Sequence, residues 1–226
     1  MIARSGKNSL HIMKKNILRR DFMQMTALSA SALALGGCKH HVNNKDTSET
    51  SAILDEPDAM TLSKGMPKDQ VFMLLDQKVD HYMGISHNCA QSTFLAISEQ
   101  FGLGNDDMVK ALTPIPGIAE RGETCGAVTG ALLALGLVFG RNNLSDWKAY
   151  RNSLVPANEF CDRFEKELGS TMCGDIIESK FGKRLDLRKS EELIQFQESD
   201  ATAKCSGVVR TAVRIAADII LRDYRS

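Results

Sequence analysis

The sequence predicts an all-α chain: a small helical bundle around a Gly/Ala-rich central helix, with cysteines at helix N-termini. Three observations predict it. From about residue 65 onward, apolar residues recur at helical spacing. No run alternates with period two, and no Asn-Gly or Asp-Gly pair joins two apolar runs as a hairpin would need. One stretch, Gly122 to Gly140 (GETCGAVTGALLALGLVFG), carries no charge after Glu123 and is dense in glycine and alanine. Glycine inside a helix costs about 1 kcal/mol relative to alanine. Gly126, Gly130 and Gly136 therefore imply close packing of neighbouring backbones, and the stretch reads as a buried core helix. Its 17 uncharged residues, Thr124 to Gly140, stand at the short end of what spans a bilayer.

Three segments are expected. Residues 1–37 read as an export signal: basic residues, then an uncharged small and apolar stretch from Met25 to Gly37. Arg19-Arg20-Asp21-Phe22-Met23 is a twin-arginine pair, which specifies the twin-arginine route. Leu35-Gly36-Gly37-Cys38 resembles a bacterial lipobox, which implies lipidation at Cys38 and a membrane-anchored periplasmic lipoprotein. Residues 38–64 are polar and read as a flexible tether, in which the adjacent His40 and His41 are solvated. Residues 65–226 form the folded helical domain. The whole chain has zero formal net charge, but the signal holds six basic residues and one acidic, so the remainder stands near −5. Such a balance gives no reason to expect nucleic acid as a partner.

Within the domain, Ser63 is a candidate N-cap, and Val71, Phe72, Leu74, Leu75, Val79 and Tyr82 follow at helical spacing until Gly84. Asn88 caps a second helix that has Cys89 at its first position and ends at Gly102 and Gly104. Asn105 caps a short helix stopped by Pro114 and Pro116. After the central stretch, Ser145 and Asp146 start a longer helix through Leu168, which Pro156 kinks or divides and Gly169 ends. Cys173 opens a short helix closed by Gly182, and Ser190 opens another. Cys205 precedes an apolar pattern, Val208 to Ile220, that runs to the C-terminus.

Five cysteines fall in the domain. No C-x-x-C occurs, which argues against a thioredoxin-type motif, a zinc knuckle and c-type haem attachment. Cys89, Cys125, Cys173 and Cys205 are each placed in or just before the first turn of a helix, where free N–H groups and the helix dipole favour thiolate. Cys161 falls mid-helix on an apolar face and reads as a small core residue. Four helix starts meeting at one point would supply the four thiolates of an iron–sulfur cluster or a structural zinc. Two structural disulfides in an exported protein explain the same spacing. His87, two residues before Cys89, reads as a surface residue, as does His81; Arg121 and Glu123 flank Cys125 as loop charges. No Ser-His-Asp set, phosphate loop or paired carboxylates stand out, so no catalytic residue and no enzymatic reaction are assigned.

The residues carry a family resemblance. Asn88-Cys89-Ala90-Gln91, then Gly122-x-Thr124-Cys125-Gly126-Ala127-x-x-Gly130-Ala131-Leu132-x-x-Leu135-Gly136, then Phe164-x4-Gly169-Ser170-x-x-Cys173, then Cys205, resemble the C-GCAxxG-C-C family of redox-active proteins over roughly residues 68–222. The core motif here is Cys-Gly-Ala where the family pattern has Gly-Cys-Ala. The family is similar to the non-haem part of split-Soret cytochrome c. The resemblance implies an iron–sulfur site on Cys89, Cys125, Cys173 and Cys205, most simply [2Fe–2S], and electron transfer. Haem is not carried over, because C-x-x-C-His is absent. Other readings of the same cysteines are a thiol–disulfide redox protein and a non-catalytic lipoprotein stabilised by disulfides or zinc. The partners expected are a periplasmic redox protein, the membrane through the lipid anchor, and a second copy of the chain in a homodimer.

Overall fold

The computed structural model describes residues 58–223; the export signal, Cys38 and most of the tether lie outside the described residues. Among the described residues there are ten helices and no strand, so the chain is all-α. In order they are α1 (Ala59–Gly65), α2 (Lys68–Ser86), α3 (Cys89–Phe101), α4 (Asp106–Ala111), α5 (Gly117–Glu120), α6 (Gly126–Phe139), α7 (Trp147–Leu168), α8 (Cys173–Phe181), α9 (Ser190–Glu198) and α10 (Ala201–Asp223). None of them is long and apolar enough to cross a membrane.

The apolar periodicity turns directly into burial. Val71, Leu75, Val79 and Met83 recur every fourth residue, and all four are buried along one face of α2. α10 buries Val208, Val209, Ala212, Val213, Ala216 and Ile220 in the same way. α6 shares the centre of the bundle with α3, which packs against α1, α2, α4, α6 and α10. The first half of α6 is buried, and its end reaches the surface at Gly136 and Leu137.

The glycines of α6 split into two kinds. A Cβ added at Gly130 would lie 2.4 Å from the Ala90 carbonyl oxygen of α3, so the close crossing of α3 and α6 requires glycine there. At Gly136 a Cβ would meet nothing within 4 Å. Packing therefore accounts for Gly126 and Gly130 and not for Gly136.

Several boundaries differ from those the sequence suggests. Residues 59–64, assigned to the tether, belong to α1, which Asp58 caps through its side chain to the Thr61 N–H. Ser63 caps nothing. It is buried within α1, its hydroxyl donating to the Gln100 carbonyl at 2.6 Å. α2 passes through Gly84 to Ser86, because His87 adopts the left-handed conformation that ends the helix. Pro156 neither divides α7 nor lies at its surface; the helix is continuous and the ring is buried.

The long helices are also laced by charge. Lys68, Asp76 and Asp80 of α2 pair with Asp218, Arg214 and Arg210 of α10, an order that runs the two helices antiparallel. Asp218 is the most enclosed of these carboxylates and also receives Arg163 at 2.8 Å. Burial pushes its carboxyl up, but Lys68 and Arg163 outweigh burial and hold it below the ordinary range. A depressed carboxyl stabilises the fold above its unfolded pKa, and that stability is lost as pH falls through its lower folded value. Asp218→Asn is thus expected to cost about 1 kcal/mol near neutral pH, with the difference from wild type vanishing in acid. Urea titrations at pH 7 and at a series of acid pH values below the ordinary carboxylate range check both halves.

Candidate redox site

The starts of α6 and α8 are joined by a feature too short to be a strand. Thr124 and Met172 form an isolated antiparallel bridge. Across it the Cys125 N–H donates to the Thr171 carbonyl at 2.9 Å, and the Cys173 N–H to the Glu123 carbonyl at 2.7 Å. Two cysteines 48 positions apart, each one residue past the bridged pair, are thereby brought to one neighbourhood. Cys89 opens α3 after Asn88, whose side chain accepts from the Gln91 N–H at 3.0 Å. The close crossing of α3 and α6 brings it to the same place: a Cβ on Gly126 would lie 2.5 Å from Cys89 Sγ.

Cys205 reaches the site differently. Ala-Thr-Ala-Lys extends the helix backward, so α10 begins at Ala201 and Cys205 is its fifth residue. The expectation of a fourth helix-start cysteine is corrected accordingly: three of the four stand at helix starts, and Cys205 lies one turn inside. Nearby, the His87 Nδ1 and Thr202 Oγ1 lie 3.0 Å apart, tying the turn before α3 to the start of α10.

All four cysteines line one cavity of about 520 Å³, whose wall also includes His87, Glu120, Phe181 and Phe196. Cys161, on α7, does not line it. Among the described residues all five cysteines are unbridged. Of the loop charges near Cys125, Arg121 and Glu123 are exposed. The carboxylate that reaches the site is Glu120, whose charge acts on Cys173. Sequence spacing gave no signal for it, because Glu120 is placed by backbone geometry.

That geometry is a left-handed turn. Gly117, Ile118, Ala119 and Glu120 all have positive φ, at 55°, 49°, 58° and 61°. The turn brings Gly117 against Cys173, where an added Cβ would stand 3.3 Å from the sulfur. Left-handed backbone costs an L-residue roughly 1–2 kcal/mol. Ala119 is exposed. Ala119→Gly is therefore expected to raise stability by about 1 kcal/mol, read as a higher urea midpoint at unchanged m-value.

The four thiols are not electrostatically alike. Cys125 is held below the ordinary thiol range: the Cys89 thiol donates a hydrogen bond to it, burial opposes, and the N–H groups of Ala127 and Val128 assist. Cys89 is pushed up by donating that bond, by burial, and by the neighbouring sulfurs. Burial first, then the charge of Cys125, pushes both Cys173 and Cys205 up to about 12. The expectation that each helix start favours thiolate thus holds for Cys125 alone. At Cys89 and Cys173 burial and mutual repulsion outweigh the helix end.

As a donor set, four thiols around one cavity suit a group that binds thiolate sulfur. Among the described residues, no three His, Cys, Asp or Glu side chains converge so as to hold a metal ion. A lone zinc draws its ligands to one tetrahedral point about 2.3 Å from each sulfur. An iron–sulfur cluster instead spreads its thiolates over two or more irons. Four thiols match either group in number and element.

A search of the curated proteins and of the solved structures finds no match. A family model described as "Putative redox-active protein (C_GCAxxG_C_C)" matches residues 87–219. The match runs from the residue before Asn88 to Ile219 in α10 and takes in all four cavity cysteines. The chain belongs to the C_GCAxxG_C_C family of redox-active proteins.

Proposed function

We propose that Cys89, Cys125, Cys173 and Cys205 hold an iron–sulfur cluster, [2Fe–2S] as the first expectation, and that the protein passes electrons to or from a partner. One observation carries this reading: four thiols from four separate helices share one cavity, where a disulfide couple would need only two. The cluster would supply one-electron chemistry at a buried position. The chain's own part is specific. Cys125 already favours thiolate, and the other three thiols, held protonated by burial, release their protons when their sulfurs are bound. The positive end of α6, with Cys125 at its N-cap, tempers the negative charge on sulfur and so raises the potential. Cys125 is the buried member of the set, and Cys89, Cys173 and Cys205 are partly exposed to the cavity.

The N-terminal residues complete the proposal: export by the twin-arginine route, cleavage before Cys38, lipidation there, and residence at the periplasmic membrane. That route carries folded proteins, so thiolates can be occupied before they meet an oxidising compartment. Protein purified without oxygen should be coloured and contain iron and acid-labile sulfide. Colourless, iron-free protein would sink the cluster.

A second reading rests on the placing of Cys89 at the start of α3 and Cys125 at the start of α6, where the two helices cross closely. A thiol poised against a thiolate-favouring neighbour is the reduced half of a disulfide couple. A mild oxidant that accepts two electrons joins the two sulfurs, which release whatever protons they still carry. It predicts iron-free protein whose thiol count falls by two on mild oxidation.

A further inference from the structure

The cavity extends well beyond the thiols. Cys173 opens α8 and Phe181 closes it, eight residues later, which is about 12 Å along the helix axis. At that far end the Phe181 and Phe196 rings meet with centroids 4.9 Å apart. Leu187 and Leu193 complete an apolar wall, and the 520 Å³ volume falls within the roughly 300–1,000 Å³ of small-molecule sites. Two ammonium groups border the same wall. Lys204 Nζ stands over the face of the Phe181 ring, 4.3 Å from its centroid, and Lys180 also lines the cavity. Flat apolar surface with cations at its edge selects a flat apolar molecule with electron-rich oxygens.

We propose that this end of the cavity binds a planar aromatic carbonyl compound of the quinone class. The ring system packs on Phe181, Phe196 and Leu193, and the carbonyl oxygens accept hydrogen bonds from Lys180 and Lys204. The charge is complementary: quinone oxygens carry partial negative charge, and more when reduced. A plain aromatic hydrocarbon offers neither ammonium an acceptor oxygen, and an amine would be repelled. Binding needs only this wall; the meaning of the site, as the place where an electron partner meets the cysteines, rests on the redox reading above.

The test uses the full chain and 2,3-dimethyl-1,4-naphthoquinone, whose blocked ring carbons do not add to thiols. Equilibrium dialysis should show saturable binding, with 2,3-dimethylnaphthalene at least tenfold weaker. Phe196→Ala should weaken binding about tenfold and Lys204→Met severalfold, with iron content, thiol count and melting curve as in wild type. The Lys204 change lies at the cavity edge and keeps the result readable should Phe196→Ala disturb α9. No saturable binding to wild type, equal affinity for the hydrocarbon, or full affinity in Lys204→Met together with a folded Phe196→Ala would overturn the site. Binding by iron-free protein would support the site while removing the cluster, so the two proposals fail separately.

Discussion

Gly126→Val is expected to be among the most damaging single substitutions in the chain, costing about 3 kcal/mol or more. The added Cβ would lie 2.5 Å from Cys89 Sγ, 2.9 Å from the Ala90 nitrogen and 3.1 Å from the Ala90 Cβ. All three neighbours belong to the first turn of α3, which cannot withdraw without breaking the α3–α6 crossing. The variant should therefore lose both urea stability and the cysteine site. Gly136→Ala is the control: no atom lies within 4 Å of the added methyl, and alanine should stabilise the exposed helix by about 1 kcal/mol. A Gly126→Val protein with wild-type melting and wild-type iron would show that the close crossing does not build the site.

Cys125→Ala is expected to abolish the redox centre while leaving the bundle folded. The side chain is small and 5% exposed, so truncation removes little packing. It takes away the one sulfur that the surroundings favour as thiolate, along with the acceptor for the Cys89 thiol. Iron content should fall by at least about tenfold, and visible absorbance should disappear, with helical circular dichroism retained. Cys161→Ala should change none of these. Equal iron in Cys125→Ala and wild type would remove Cys125 from the site; equal loss in Cys161→Ala would redraw the donor set. If wild type is already iron-free, Cys125→Ala should instead abolish the two-thiol oxidation that the disulfide reading predicts.

The contrast between Cys125 and Cys205 shows where sequence reading ran out. Cys125 directly precedes an uncharged helix, and its position at the helix start was legible. Cys205 follows Ala-Thr-Ala-Lys, four residues with no apolar periodicity of their own. The start of α10 there depends on Asp200, whose φ is 59°. A left-handed non-glycine residue leaves no mark in composition. The same is true of Ile118, Ala119 and Glu120, whose turn places a carboxylate near Cys173.

By itself the sequence determined the all-α class, the buried faces of α2 and α10, the caps at Asn88 and Asn105, and four cysteines as a set. Each depends on local spacing, which helical geometry converts directly into position. Tertiary structure decided the rest. The Thr124–Met172 bridge ties the start of α6, with Cys125, to the start of α8, with Cys173, the glycine crossing brings in Cys89, and α10 delivers Cys205 from its second turn. Thiolate character was decided there as well. The dipole at a helix start is a local property, but burial and the charge of neighbouring sulfurs are not, and at three of the four thiols those non-local effects prevail.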